Sequence, residues 1–134
     1  MAAVNSQNYK PLVYPSKTLA RAERSLICSP FKLALVVTMT NQSISLGAIA
    51  MDNGIQHGYT KKPLSELACD QALGWLIEVG ILRREVDGQG ITDSFRLTPL
   101  GYQLVEKFSN QELPTPTLGD RLADFITRWF RLPF

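Results

Sequence analysis

The chain has 134 residues, of which 45% are hydrophobic and 19% charged, and a formal net charge of +2. These values suit one globular domain with its own core and short peripheral segments. The N-terminal residues lack the pattern of a secretory signal, and polar side chains interrupt the uncharged run at residues 33–51, so we expect neither export nor a membrane span. Cys28 and Cys69 lie far apart without C-x-x-C spacing, which favours free thiols in the cytoplasm.

Proline positions and apolar periodicity divide the sequence into four segments. Residues 1–15 have no sustained period and are expected to form an arm. Residues 16–109 are expected to fold as one domain, residues 110–117 as a proline-containing hinge, and residues 118–134 as a C-terminal amphipathic helix. Thr117 with Asp120 resembles a capping arrangement at the start of this last helix. The expected fold class is mainly α with a small β-hairpin, that is, α+β.

Hydroxyl side chains and prolines predict where the first three helices begin, because they satisfy or remove backbone N–H groups that have no partner in the first turn. The first helix is amphipathic, the second is almost wholly apolar and extends over residues 30–39, and the third is short and ends at Asn53-Gly54. The predicted starting residues are Ser16 for the first helix, Ser29-Pro30 for the second, and Ser43 or Ser45 for the third.

A fourth helix is predicted from Pro63 to a stop at Gly80, because apolar residues recur there at steps of three and four. Such spacing places them on one helix face, which we expect to lie in the core. The residues of this apolar face are Leu64, Leu67, Ala68, Ala72, Trp75, Leu76 and Val79.

The segment after Gly80 predicts a β-hairpin followed by another helix. Two short apolar-alternating runs flank Asp87-Gly88, which is a common turn dipeptide. Thr98-Pro99 then supplies an N-cap hydroxyl and a proline at the first helical position, so a helix is expected from Pro99 to Phe108.

This order of elements resembles the winged helix-turn-helix superfamily, in particular its PadR-like and MarR-like regulators. The resemblance covers residues 30–108 and is best over residues 64–101, where helix end, hairpin and returning helix follow one another. It implies a winged helix with extra N-terminal and C-terminal helices, in which residues 63–79 enter the major groove of double-stranded DNA and the hairpin contacts phosphate. The implied function is that of a DNA-binding transcriptional regulator.

Charge argues against that function at the helix that would read DNA. Residues 1–62 carry a net charge of +5 and residues 63–112 a net charge of −4, and the predicted recognition helix contains no lysine or arginine. Phosphate neutralisation supplies most nonspecific affinity for DNA. The alternative is a protein-interaction module that does not bind DNA. The candidate nucleic-acid-binding residues are Lys61, Lys62, Ser65, Gln71, Arg83, Arg84 and Arg96.

Each basic group among these candidates has a second interpretation. Lys61 and Lys62 are either phosphate contacts or solvated loop charges, and Arg83 and Arg84 are either phosphate contacts or partners of Glu85 and Asp87. A separate hypothesis places the DNA contacts on the basic face of the first helix, which carries Lys17, Arg21 and Arg24.

The C-terminal helix is predicted to be an interface, because its aromatic residues follow a hinge and are not expected to reach the core of their own domain. We expect a homodimer through this helix, since a two-fold axis buries the same face twice. Packing onto its own domain and attachment to a membrane surface are the alternatives. The interface residues are Leu118, Leu122, Phe125, Ile126, Trp129 and Phe130.

Catalysis is not expected from this sequence. His57 is the one histidine and has no neighbouring acid or cysteine at metal-ligand spacing, and no phosphate-binding glycine motif or nucleophile elbow occurs. We therefore predict no catalytic residue, metal or cofactor.

Overall fold

In a computed structural model, which describes residues 13–108 and 117–130, the protein combines helices with one small antiparallel sheet. The described residues form seven helices and three strands, and the expected α+β class is confirmed. In chain order the elements are α1 (Ser16–Cys28), α2 (Leu33–Thr38), β1 (Ile44–Ser45), α3 (Leu46–Ile49), α4 (Met51–Gln56), α5 (Glu66–Glu78), β2 (Leu82–Asp87), β3 (Gly90–Leu97), α6 (Pro99–Phe108) and α7 (Leu118–Phe130).

The sheet has the strand order β1-β3-β2, so the long hairpin strand β3 lies in the centre. Ile44 pairs with Phe95 on one side of β3, and Leu82 pairs with Leu97 on the other. Side chains from one face of this sheet join those of α1, α2, α3, α5 and α6 in a single core, because apolar burial is the main term that favours folding. The largest fully buried side chains include those of Phe31 and Phe95.

The hairpin and its flanking helix ends are where the sequence predicts them. Gly80 ends α5 with a φ of 92°, a conformation that glycine adopts without steric cost. The Thr98 Oγ1 accepts a hydrogen bond from Gly101 N at 3.1 Å and so caps α6, which begins at Pro99. These local signals fix the hairpin between α5 and α6.

The predicted start of the second helix is wrong. Phe31 does not lie in a helix but in a short antiparallel bridge with Thr60, and α2 begins only at Leu33. Lys32 N donates to Tyr59 O at 2.8 Å, and Lys61 N donates to Pro30 O at 2.9 Å. Because these backbone groups pair with a distant segment, they are not available for a helical turn.

The predicted third helix is two helices. Ser45 caps α3 by accepting from Ala48 N at 3.3 Å, as expected, but the chain then bends at Met51, whose φ of 57° is left-handed. The second helix, α4, continues through Gly54, where a stop was predicted. A Cβ at Gly54 would collide with the Ile49 carbonyl, so close packing explains this glycine.

Two other helix starts differ by a few residues from the prediction. Ser16 lies inside α1, and Pro15 precedes the helix in the cap position. The fourth helix begins at Glu66 and not at Pro63, because Ser65 Oγ accepts from Ala68 N at 3.1 Å and ends the extended segment before it.

Candidate functional site

The exposed residues of α5 are of mixed character, with Leu67 and Ala68 beside polar and acidic residues. Leu67 is 68% exposed, and Ala68 and Gln71 are exposed beside it. Of the predicted apolar face, Leu64, Ala72, Trp75, Leu76 and Val79 are buried as expected. The assignment of Leu67 and Ala68 to the core is wrong: Cys69 and Leu73 are buried, and Leu67 lies about 200° around the helix from Cys69.

Arg84 on β2 crosses to α5 and neutralises an acid there. Its Nη2 donates to Asp70 Oδ1 at 3.0 Å, and its guanidinium lies 4.9 Å from the centroid of the Phe95 ring. The predicted partners, Glu85 and Asp87, are not the ones with which this arginine pairs. Arg84 is therefore held by an acid and an aromatic ring of its own domain.

Arg96 on β3 is held in a second internal ion pair. Its Nη1 donates to Glu85 Oε2 at 2.6 Å, and Ser43 Oγ donates to Glu85 Oε1 at 2.7 Å. The hydrogen bond from Ser43, followed by that from Arg96, lowers the pKa of the Glu85 carboxyl. The cluster ties β2 and β3 to the segment before β1.

Lys61 has hydrogen-bond partners within its own domain. Its ammonium donates to the carbonyl oxygens of Ser29 at 2.9 Å and Ile27 at 3.3 Å, at the C-terminal end of α1. Carbonyls there attract a cation, because the helix leaves them without intrahelical donors. Burial lowers the pKa of Lys61. This lysine fastens the loop before α5 to α1.

The remaining candidates are exposed before, within and after α5 in the chain. Lys62 is exposed just before α5, Arg83 is exposed at the start of β2, and Gln71 is exposed between them. Ser65 is also exposed, but its hydroxyl oxygen caps α5. Three of the seven predicted residues, Lys62, Gln71 and Arg83, are thus exposed and take no part in the hydrogen bonds and ion pairs described above.

Two exposed apolar side chains of α4 were not singled out from the sequence. Met51 is 56% exposed, and its N–H donates to Leu64 O at 2.6 Å, which places the start of α4 beside the segment that leads into α5. Ile55 lies one turn further along α4 and is exposed as well. No local signal marks them, because the exposure of Met51 depends on the bend between α3 and α4. We call Met51, Ile55, Leu67 and Ala68 the α4–α5 surface.

The C-terminal helix α7 packs against α1 with its polar side inward. Asp124 accepts from Trp75 Nε1 at 3.4 Å, and the Arg128 guanidinium lies 5.9 Å from the Trp75 ring centroid. Burial raises the pKa of Asp124 despite its hydrogen bonds from Trp75 and Ser25. The predicted cap is confirmed, since Thr117 N donates to Asp120 Oδ2 at 3.1 Å and Asp120 N donates to Thr117 Oγ1 at 3.0 Å.

The predicted interface residues of α7 lie mostly on its outer side. Leu118 is 84% exposed, Leu122 57% and Phe125 52%, whereas Ile126 is half-buried. Trp129 and Phe130 belong to the helix, but their side chains lie outside the described residues.

The side chains that carry reactive chemistry are dispersed. His57 stacks on Tyr59 with 5.2 Å between ring centroids, and its Nδ1 lies 2.8 Å from Asn53 O. Cys28 and Cys69 are free thiols, as expected, and burial raises the pKa of Cys69 to about 11. Across residues 13–108 and 117–130, no three His, Cys, Asp or Glu side chains are grouped so as to hold a metal ion.

Comparison with known proteins gives a family and no further relative. Residues 12–128 match the family model described as Npun_F0494-like, so the match extends from the segment before α1 into the last turn of α7. No curated protein and no solved structure matches the chain. None of the helices in the described part of the chain is long and apolar enough to cross a membrane.

Proposed function

We propose that this chain, which belongs to the Npun_F0494-like family, is a winged-helix protein that binds a partner protein through its α4–α5 surface. The fold assignment rests on the succession α2, β1, α3–α4, α5, β2 and β3, and on the sheet order β1-β3-β2. In this arrangement α5 occupies the recognition-helix position and the β2–β3 hairpin is the wing. The function depends on what that helix presents.

The observation that carries the proposal is the state of the charges around α5. Arg84 is paired with Asp70, Arg96 with Glu85, and Lys61 with the end of α1. A cation that already has an internal partner must give it up before it contacts phosphate, so these groups add little to DNA affinity. The surface they leave, with Leu67 and Met51 prominent, is that of a protein contact.

The chemistry of the surface also indicates the class of partner. Exposed acids stand next to the exposed apolar residues in the chain, Asp52 beside Met51 in α4 and Glu66 beside Leu67 in α5. An amphipathic helix with apolar anchors and basic flanks complements such a surface, because apolar anchors supply affinity and opposite charges set orientation. The proposed partner is therefore a protein that offers a basic amphipathic helix.

A photo-crosslinking amino acid at position 67 tests this proposal in cells. We expect adducts that protease removes and nuclease does not, and no comparable adduct from the same group at Glu106, an exposed site on α6. Lys62→Glu should leave the position-67 adduct unchanged or increase it, because the partner is basic. Adducts that nuclease removes, or equal protein adducts at both positions, would overturn the proposal.

The second candidate is the DNA-binding transcriptional regulator that the winged-helix resemblance implies. Lys62 and Arg83 favour it, because both are exposed and stand at opposite ends of α5, where phosphate contacts lie in winged-helix complexes.

Fluorescence anisotropy with labelled random-sequence duplex DNA separates the two candidates. The partner-protein proposal predicts no binding even at low salt. The regulator hypothesis predicts salt-dependent DNA binding. The double variant Lys62→Ala, Arg83→Ala should weaken this binding and reduce the magnitude of its salt slope by about one to two. The control variant is Lys107→Ala, whose ammonium pairs with Glu23 on the α1–α6 side.

A further inference from the structure

The orientation of α7 is unusual for an amphipathic helix beside a folded domain. Its polar residues face the domain: Asp124 meets Trp75 and Arg128 lies over the same ring. Its apolar residues Leu118 and Leu122 point away and are largely exposed. A helix positioned by apolar burial alone would turn the other way.

Specific polar contacts account for this orientation. The Trp75 indole donates to both Ser25 Oγ at 3.2 Å and Asp124 Oδ1 at 3.4 Å, so one donor joins α5, α1 and α7. Rotating α7 to bury Leu118 and Leu122 would remove Asp124 from these donors. The contacts with Trp75 and Ser25 thus hold the apolar face of α7 at the surface of the domain.

We propose that the outer face of α7 pairs with the same face of a second copy of this chain, in an antiparallel arrangement about a two-fold axis. Leu118, Leu122 and Phe125 follow one another at steps of four and three, which is the spacing of the seam in paired helices. Antiparallel pairing centred on Leu122 sets Leu122 against Leu122 of the partner subunit, and Leu118 close to Phe125 of the partner subunit. The face is then complementary to itself.

The charges of α7 favour a second copy over a lipid surface. The helix contains two acids, Asp120 and Asp124, and two bases, Arg121 and Arg128, so its net charge is zero. Helices that lie on anionic membranes carry an excess of lysine and arginine on their polar face. Here the polar face is instead occupied by α1 and Trp75.

Sedimentation velocity over a range of protein concentrations tests the pairing. We expect a dimer that Leu122→Glu converts to monomer, because the two-fold axis would bring the two added carboxylates together. Ile91→Glu adds the same charge to another exposed apolar site, on β3, and should leave the dimer intact. Unchanged circular dichroism of both variants shows that the fold is retained.

A crosslink test does not depend on the fold tolerating a charge. Leu122→Cys in a Cys28→Ser background should form an intermolecular disulfide under mild oxidation, whereas Glu106→Cys should not. A wild-type monomer at all concentrations, or a dimer that survives Leu122→Glu and fails to crosslink at position 122, would overturn the pairing. So would a monomer that sediments with anionic phospholipid vesicles. None of these results bears on the α4–α5 surface, so the two proposals succeed or fail separately.

Discussion

Trp75 Nε1 lies 3.4 Å from Asp124 Oδ1, and this contact links α5 to the C-terminal helix α7. Both groups are enclosed: Trp75 is buried and Asp124 is half-buried. The same indole N–H also reaches Ser25 on α1 at 3.2 Å. A single side chain of α5 therefore contacts both α1 and α7 where the C-terminal helix meets the domain.

Asp124 should make the stability of the protein depend on pH. Burial raises the pKa of Asp124 above its ordinary value of 3.8, so the folded protein holds this proton more tightly than the unfolded chain does. The favourable contribution is then complete below pH 3.8 and is lost as the pH rises through the raised pKa. At neutral pH, Asp124→Asn should be at least as stable as wild type.

Urea unfolding of wild type and Asp124→Asn, from below pH 3.8 to neutral pH, gives the free energy of unfolding of each protein as a function of pH. The effect is the difference between the two free energies. The stability of Asp124→Asn relative to wild type should increase as the pH rises from 3.8 through the raised pKa of Asp124, and should then level off. Glu106→Gln, which changes an exposed carboxyl on α6, should show no such trend. A difference that shrinks as the pH rises would contradict the expected direction.

Two glycines in helix interiors should respond to alanine in opposite directions. A Cβ at Gly101 in α6 would lie 2.5 Å from Ile81 O and 2.8 Å from Leu97 Cδ2. Gly101→Ala should therefore lower the free energy of unfolding by about 1–3 kcal/mol. Nothing lies within 4 Å of a Cβ at Gly74 in α5, and Gly74→Ala should raise it by about 0.5–1 kcal/mol. If chemical denaturation gives the same change in the free energy of unfolding for both variants, α6 does not approach Ile81 as closely as the structure shows.

Local signals in the sequence predicted the local structure well. Gly80, Thr98-Pro99 and the Thr117–Asp120 cap act within one turn of themselves, so their neighbours along the chain suffice to determine them. The hairpin between them follows for the same reason.

Features that depend on distant residues were not predictable in this way. Phe31 lies outside a helix because it pairs with Thr60, and the Lys61 ammonium is held at the end of α1 because carbonyl oxygens there accept its hydrogen bonds. Leu67 is exposed although its spacing fits an apolar stripe, because Cys69 and Leu73 define the buried face. Spacing gives the period of a helix and not the direction in which tertiary packing turns it.

The Arg84–Asp70 pair should contribute measurably to stability and Arg83 should not. Arg84→Ala removes both the 3.0 Å ion pair and the contact with the Phe95 ring, and we expect a loss of about 1 kcal/mol. Arg83→Ala, at the neighbouring exposed position, should stay within about 0.5 kcal/mol of wild type. A double-mutant cycle of Arg84 and Asp70 should give a coupling of about 0.2–1 kcal/mol. Zero coupling would return Arg84 to the set of groups available for phosphate.

Met51 should gain stability on replacement by glycine. Its φ of 57° is a conformation that costs an ordinary side chain about 1–2 kcal/mol, and its side chain is more than half exposed and so recovers little by burial. After allowing for the greater flexibility of glycine in the unfolded chain, we expect Met51→Gly to raise the free energy of unfolding by about 0.5–1 kcal/mol. Ile55→Gly, one turn along α4 at an ordinary helical position, should lower it by about 1 kcal/mol. If both variants lose stability in urea denaturation, the bend at Met51 is not left-handed in solution. If only Met51→Gly gains stability, the backbone at Met51 is strained. The methionine side chain at this point of the α4–α5 surface then serves binding to a partner and not the stability of the fold.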